Sequence, residues 1–137
     1  MKVTKSLYDV LLSVFGNRDI EGIPREQILD DCLVREREYA SSASLKRVIT
    51  TNINAIVSGC KGFKIGKTGD PGNRANAYRQ YSQMYLLCKG RKGSVDVLES
   101  YYIHKYIGRA KCDNAKEGSA GSMTNSHHCY YLYVVVR

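Results

Sequence analysis

Two cations, a tyrosine and a tight turn lie close together between Phe63 and Tyr78. Lys67 and Arg74 flank the run Thr68-Gly69-Asp70-Pro71-Gly72-Asn73, and Tyr78 follows Arg74 by one helical turn. The stretch reads as a short strand over Phe63–Gly66, a Gly-rich turn, and a helix with Asp70 as N-cap and Pro71 at its first position. Backbone N–H groups are unpaired where a strand runs into a helix N-terminus, and the helix dipole adds to the attraction for anions. With Lys67 and Arg74 on either side, the ligand chemistry to expect is phosphate. Further along, Glu99 sits at the inward edge of a second helix beside Leu98, where a carboxylate needs a counter-charge or a metal. The plain alternative is a Glu placed early in a helix because the dipole favours it there.

The charge distribution agrees with a phosphate ligand. Of a formal net charge of +8, residues 59–92 hold eight Lys/Arg against Asp70 alone, while the chain before and after is nearly balanced. A basic block of this kind suits a polyanion, nucleic acid before membrane, because no amphipathic basic helix coincides with it. Lys61, Lys67, Arg79, Lys89, Arg91 and Lys92 are its cations expected to meet DNA. Five widely spaced cysteines with no C-x-x-C pair point to free thiols and an intracellular setting, cytoplasmic or nuclear. Neither a signal peptide nor a transmembrane run is legible.

The elements that must hold these residues follow from periodicity. Helical spacing predicts helices over Lys5–Phe15, from Pro24 to about Tyr39, and from the serines at 41–44 to about Gly59. The last of these has an open end, since Ile53–Val57 fits a helix or a strand paired with Phe63–Gly66. Strands are predicted over Gln83–Cys88 and Cys129–Val136, with Lys89–Gly93 a loop, Ser94 capping a helix to about Ile107, and Asp113–Asn125 a loop. The result is an α/β (α+β) domain with a small mixed or antiparallel three-stranded sheet flanked by helices. Residues 1–50 form a helical extension packed on the core, and residues 51–137 the domain itself.

In order and spacing these residues resemble the GIY-YIG nuclease domain. The resemblance rests on Ile65-Gly66-Lys67-Thr68, Arg74 eight residues after the glycine, Tyr78 four later, Leu98-Glu99 in a following helix, and Asn114 beyond. Lys64-Ile65-Gly66 looks like the subgroup whose second signature triplet reads KIG. The resemblance covers roughly residues 50–136 and implies an endonuclease that cuts DNA to a 5′-phosphate and a 3′-hydroxyl. It implies that Arg74 stabilises charge on the scissile phosphate and that Glu99 holds one Mg²⁺ or Mn²⁺. Lys67 and Tyr78 fall at positions that orient or activate the water, and Asn114, with Asn125 competing, matches the distal asparagine that supports the site. One such site cuts both strands of a duplex only by acting twice or as a homodimer.

Both signature tyrosines are replaced. Lys64 stands for that of the second triplet, and Ile53, thirteen residues before Gly66, for that of the first. Three groups are candidates for the water's base: Lys64, if neighbouring cations depress its pKa; Tyr78; or a tyrosine of Tyr130-Tyr131-Leu132-Tyr133, should that strand pair with Phe63–Gly66 and residues 43–58 stay helical. Alternation then puts Tyr131 and Tyr133 on one face and Tyr130 on the other. The rival class is a non-catalytic nucleic-acid-binding module. A zinc module of Cys112, His127, His128 and Cys129 is disfavoured, because adjacent ligands rarely close one tetrahedral site.

Overall fold

A computed structural model describes residues 22–115 and 129–137. The expected helix at Lys5–Phe15, most of the Asp113–Asn125 loop, Asn125 itself, His127 and His128 lie outside the described residues. Mixed helices and sheet give the α/β fold expected, but among the described residues the sheet has five strands instead of three. They are β1 (Ile28–Leu29), β2 (Val34–Arg35), β3 (Phe63–Thr68), β4 (Gln83–Gly90) and β5 (Tyr130–Val136). The helices are α1 (Ser42–Val57), α2 (Pro71–Ala75) and α3 (Lys92–Tyr106).

The centre of the sheet is β5. It pairs antiparallel with β3 on one side, Gly66 opposite Tyr133, and antiparallel with β4 on the other, Leu86 opposite Tyr133. Its sequence Tyr-Tyr-Leu-Tyr-Val-Val-Val is β-branched and aromatic throughout, as befits a strand covered on both faces. Residues 53–57 remain helical in α1, leaving β3 free to take β5 as its partner. Alternation then sorts the sheet into two faces. Phe63, Ile65, Leu132 and Val134 pack with Leu45, Ile49 and Ile53 of α1 and Leu98, Tyr102 and Tyr106 of α3. Tyr133, Val135, Met84 and Leu86 pack on the opposite face with Ile23 and with Ala75 of α2.

Four expectations are corrected. The helix over Pro24–Tyr39 is instead two 3₁₀ turns, Arg25–Gln27 and Glu36–Glu38, around β1 and β2. Asp30 and Asp31 favour a turn, closed by Leu33 N donating to Asp30 O at 3.1 Å, and β1 and β2 then lie parallel along the free edge of β4. Backbone pairing with β4 outweighs the helical period of Ile28, Leu29 and Leu33. A helical extension over residues 1–50 therefore fails as a description of residues 22–41, and α1 crosses the expected boundary at 50/51. The loop expected over Lys89–Gly93 shrinks to Arg91, because Lys89 and Gly90 continue the ladder opposite Tyr131 and Tyr130. Ser94 does not cap α3; its Oγ donates to the Glu36 carboxylate at 2.6 Å.

The outer edge of β3 is covered by the segment after α3. Phe63 N donates to Lys111 O at 2.9 Å, and Asp113 N donates to Phe63 O at 2.7 Å. Asn114 continues this with its side chain: Ile65 N donates to its Oδ1 at 2.9 Å, and its Nδ2 donates to Ile65 O at 3.0 Å. An amide side chain thus replaces a strand neighbour and quenches an edge. Next to it, Asp113 accepts two parallel bonds from the Arg137 guanidinium, each 2.8 Å, and one from Tyr81 Oη at 2.8 Å. The Arg137 bonds hold the Asp113 carboxyl below its ordinary 3.8. A folded value below the unfolded one stabilises the fold above the unfolded value and is lost as the pH falls through the folded one. Urea titrations across pH 2–6 are expected to show an acid-side loss of stability in the parent that is smaller in Asp113→Asn.

Candidate active site

Local chemistry builds the turn after β3 as its residues dictate. Asp70 accepts from Asn73 N at 3.1 Å as N-cap of α2, Pro71 occupies the first helical position, and Thr68 Oγ1 accepts from Asp70 N at 2.9 Å. This turn sets Arg74 on α2 and Tyr78 just beyond it, over the face of the sheet that carries Tyr133. Tyr133 crosses from β5 over Gly66, where an added Cβ would fall 2.3 Å from its Oη. The hydroxyls of Tyr78 and Tyr133 are hydrogen-bonded to each other, their rings edge to face with centroids 5.7 Å apart. Burial, Tyr133 being 1% exposed, pushes both phenols up; the positive charge of Arg74 acts against that rise and the negative charge of Glu99 adds to it. Arg74, Tyr78, Tyr133 and Glu99 therefore share one electrostatic neighbourhood.

Glu99 comes to it from α3. Its carboxylate is 1% exposed, and Lys67 Nζ stands 3.4 Å from Oε1. Lys67 alternates with Gly66, so it points to the α3 face, where it also donates to Asp96 Oδ1 at 2.7 Å. Burial works against the Lys67 charge, but the Asp96 and Glu99 carboxylates outweigh it and raise its pKa above its ordinary 10.5. Lys92, one turn before Asp96 on α3, adds a bond to Asp96 Oδ2 at 3.2 Å.

The expected site residues are thus brought together only in part. Arg74 and Tyr78 stand on the Tyr133 face, whereas Glu99 lies with Lys67 on the α3 face and reaches the phenols through its charge. Lys64 lies on the Tyr133 face, two residues before Gly66, and its charge acts on Asp113. The structure departs from expectation at Lys67, whose ammonium turns to Asp96 and Glu99 on α3 instead of flanking the anion turn, while Lys92 stays exposed in an i,i+4 pair with Asp96. Asn114 supports the β3 backbone beside Gly66. Lys61 stands at the other end of β3 from Lys67, ~20 Å away at about 3.4 Å per residue. Arg79 is exposed in the turn after α2, where Gln80 takes φ 72°. Lys89 and Arg91 lie at the β4 end nearest Thr68, because β3 and β4 both run antiparallel to β5.

Asp96 was missed by the sequence reading, although its place one helical turn before Glu99 was a signal for a shared face. The donor set suits a divalent ion held by few protein ligands. Among the described residues no three His, Cys, Asp or Glu side chains gather, and the carboxylates that could hold such an ion are Glu99 and Asp96, both at the Lys67 ammonium. Lys67 already has a closer partner in Asp96 and can yield Glu99 to a stronger cation. The chain gives no significant match to any known family profile, curated protein or solved structure.

Two substitutions check this geometry. Gly66→Ala forces the Tyr133 ring aside and is expected to cost ~1–3 kcal/mol in chemical denaturation, with loss of the Tyr78 contact. Lys67→Met removes the ammonium beside the buried Glu99 carboxylate and is expected to lower stability in chemical denaturation, whereas removing both charges in Lys67→Met with Glu99→Gln recovers most of that loss.

Proposed function

We propose that the protein is a metal-dependent endonuclease of GIY-YIG type that hydrolyses phosphodiester bonds in DNA. One observation carries the reading: the charges of Arg74 and Glu99, from α2 and α3, both act on the hydrogen-bonded phenol pair of Tyr78 and Tyr133 seated over Gly66. A fixed guanidinium, a buried carboxylate and oriented hydroxyls are what an in-line attack on phosphorus requires. Arg74 meets the phosphate oxygens as negative charge builds on them. Glu99 would hold Mg²⁺ or Mn²⁺, and the ion would supply Lewis-acid stabilisation of the charge that develops. With Glu99 in that role, Lys67 would keep Asp96, already its closer partner at 2.7 Å.

In this reading β5 contributes the tyrosine that the strand before β3 would carry in the family pattern. Burial keeps Tyr133 protonated near neutral pH, so it orients the attacking water through Tyr78 and does not deprotonate it. Tyr78, kept protonated by burial in the same way, and Lys64 help to orient that water; its proton passes to bulk solvent, O3′ takes a proton from solvent as the P–O3′ bond breaks, and a 3′-hydroxyl and a 5′-phosphate remain. Two other parts of the reading follow from the same chemistry. The partner is DNA, and a homodimer would let one binding event cut both strands.

A second reading, a binding module without catalysis, is favoured by the tight cover over Glu99, 1% exposed with Lys67 at 3.4 Å. Cleavage of supercoiled plasmid in Mg²⁺ or Mn²⁺, with binding followed in EDTA, separates the two. The nuclease reading expects nicking by the parent, a fall of ~10²–10³-fold in Arg74→Ala and in Glu99→Gln, and unchanged binding by Glu99→Gln. Binding without cutting in either metal, across plasmid, linear and branched DNA, hands the result to the binding module.

A further inference from the structure

Strand register carries the chemistry of the Tyr133 face beyond the candidate active site. Thr68 of β3 stands opposite Tyr131 of β5, Tyr131 opposite Lys89 of β4, and Lys89 opposite Arg35 of β2. Residues in register share a face, and Tyr131 shares its face with Tyr133, two residues on. One row therefore runs across four strands from the turn that leads to Arg74 out to the β2 edge. At about 4.8 Å per strand the row spans roughly 14 Å. Tyr131 is half-buried at its middle, and Lys89 Nζ lies 5.7 Å from the centroid of its ring. The outer end opens into a hollow of about 390 Å³ lined by Arg35, Arg37, Lys89 and Arg91. Glu36 is the acidic residue in that lining, and its carboxylate is turned to α3, accepting from Ser94 Oγ at 2.6 Å and Arg91 N at 3.4 Å.

We infer that this row is a binding track for a single-stranded stretch of nucleic acid, its backbone following Lys89, Arg35 and the hollow while a base stacks on Tyr131. Cations interleaved with an aromatic on an open sheet are how unpaired strands are held, the cations tracking phosphates and the ring meeting a base face. A duplex buries its base faces in its own stack and gives Tyr131 nothing to meet. The track enters the candidate site beside Thr68, so it rests on the proposed function for what happens to the strand there. It extends that reading in two ways: it selects an unpaired segment as the substrate, and it recruits Arg35 and Tyr131, which lie outside the basic block of residues 59–92.

Fluorescence anisotropy of the full chain with a labelled single-stranded oligonucleotide and the matching duplex, in EDTA over a range of salt, tests the track. Tighter binding of the single strand is expected. Arg35→Ala with Lys89→Ala is expected to weaken it at least tenfold and to lower the salt slope by ~1.4, the value for two phosphate contacts on a single strand. Tyr131→Ala should weaken it ~5–100-fold with the slope unchanged, and Tyr131→Phe, which keeps the ring, should restore it. Preference for the duplex, parent-like binding by the charge variants, or no binding by the parent overturns the inference. Adding Mg²⁺ or Mn²⁺ reads the proposed function separately. A protein that binds along the track and never cuts overturns the nuclease and keeps the track, while one that cuts regardless of Arg35, Lys89 and Tyr131 does the reverse.

Discussion

The passage of the Tyr133 ring over Gly66 is the contact on which the candidate site depends. It exists only because β5 lies between β3 and β4 and because the residue facing Tyr133 has no side chain. Any Cβ at that point would share space with the phenol, so the glycine serves as the floor on which the tyrosine lies. From there the hydroxyl reaches Tyr78, and Tyr78 in turn is held edge to face against Tyr81, which hydrogen-bonds Asp113. Asp113 is clamped by Arg137, immediately after β5. The strand that carries Tyr133 is thus tied at its end to the loop that follows α2. Position along β5 and position of the phenol pair are one constraint.

The other face of the sheet solves a different problem, that of holding a carboxylate inside a hydrophobic sandwich. Glu99 lies on α3 among Val95, Leu98, Tyr102 and Ile103, all buried. Lys67 reaches it from β3 because strand alternation sends Lys67 away from Gly66 and toward α3. Asp96 then keeps the ammonium from being the sole property of Glu99. A lysine between two carboxylates of unequal exposure, 33% for Asp96 and 1% for Glu99, has somewhere to go. A buried ion pair adds little net stability over apolar packing, but it fixes which strand residue faces which helix residue.

Signals confined to a few residues were legible in the sequence. Asp70 and Pro71 announce the start of α2, Ser41 that of α1, and the β-branched run that of β5, all of which formed as their chemistry dictates. The pairing of β5 with β3 was one of two arrangements the sequence left open, and the helical fate of residues 53–57 selected it. What stayed hidden depends on distant partners. Ile28–Leu29 and Val34–Arg35 are too short to show alternation, and their bonds go to β4, more than fifty residues on. Lys89 and Gly90 read as loop by composition, yet register with Tyr131 and Tyr130 keeps them in the ladder. Lys67 reads as a free cation until Asp96 and Glu99 arrive from α3. The site was visible as a set of residue types, and its wiring was not.

The order in which β5 enters the sheet has a kinetic consequence. Among the described strands it comes last along the chain yet lies between β3 and β4, so both neighbours keep an unpaired inner edge until residues 130–136 take their place. Sheet closure links Phe63 to Val136, a separation of seventy-three residues, and such long loops must close before their contacts repay the entropy. On a ribosome, α1, α3 and the edge strands would emerge with the central slot still open. The phenol pair, the Asp113–Arg137 clamp and the continuous row across the strands would then appear together, in a single late step.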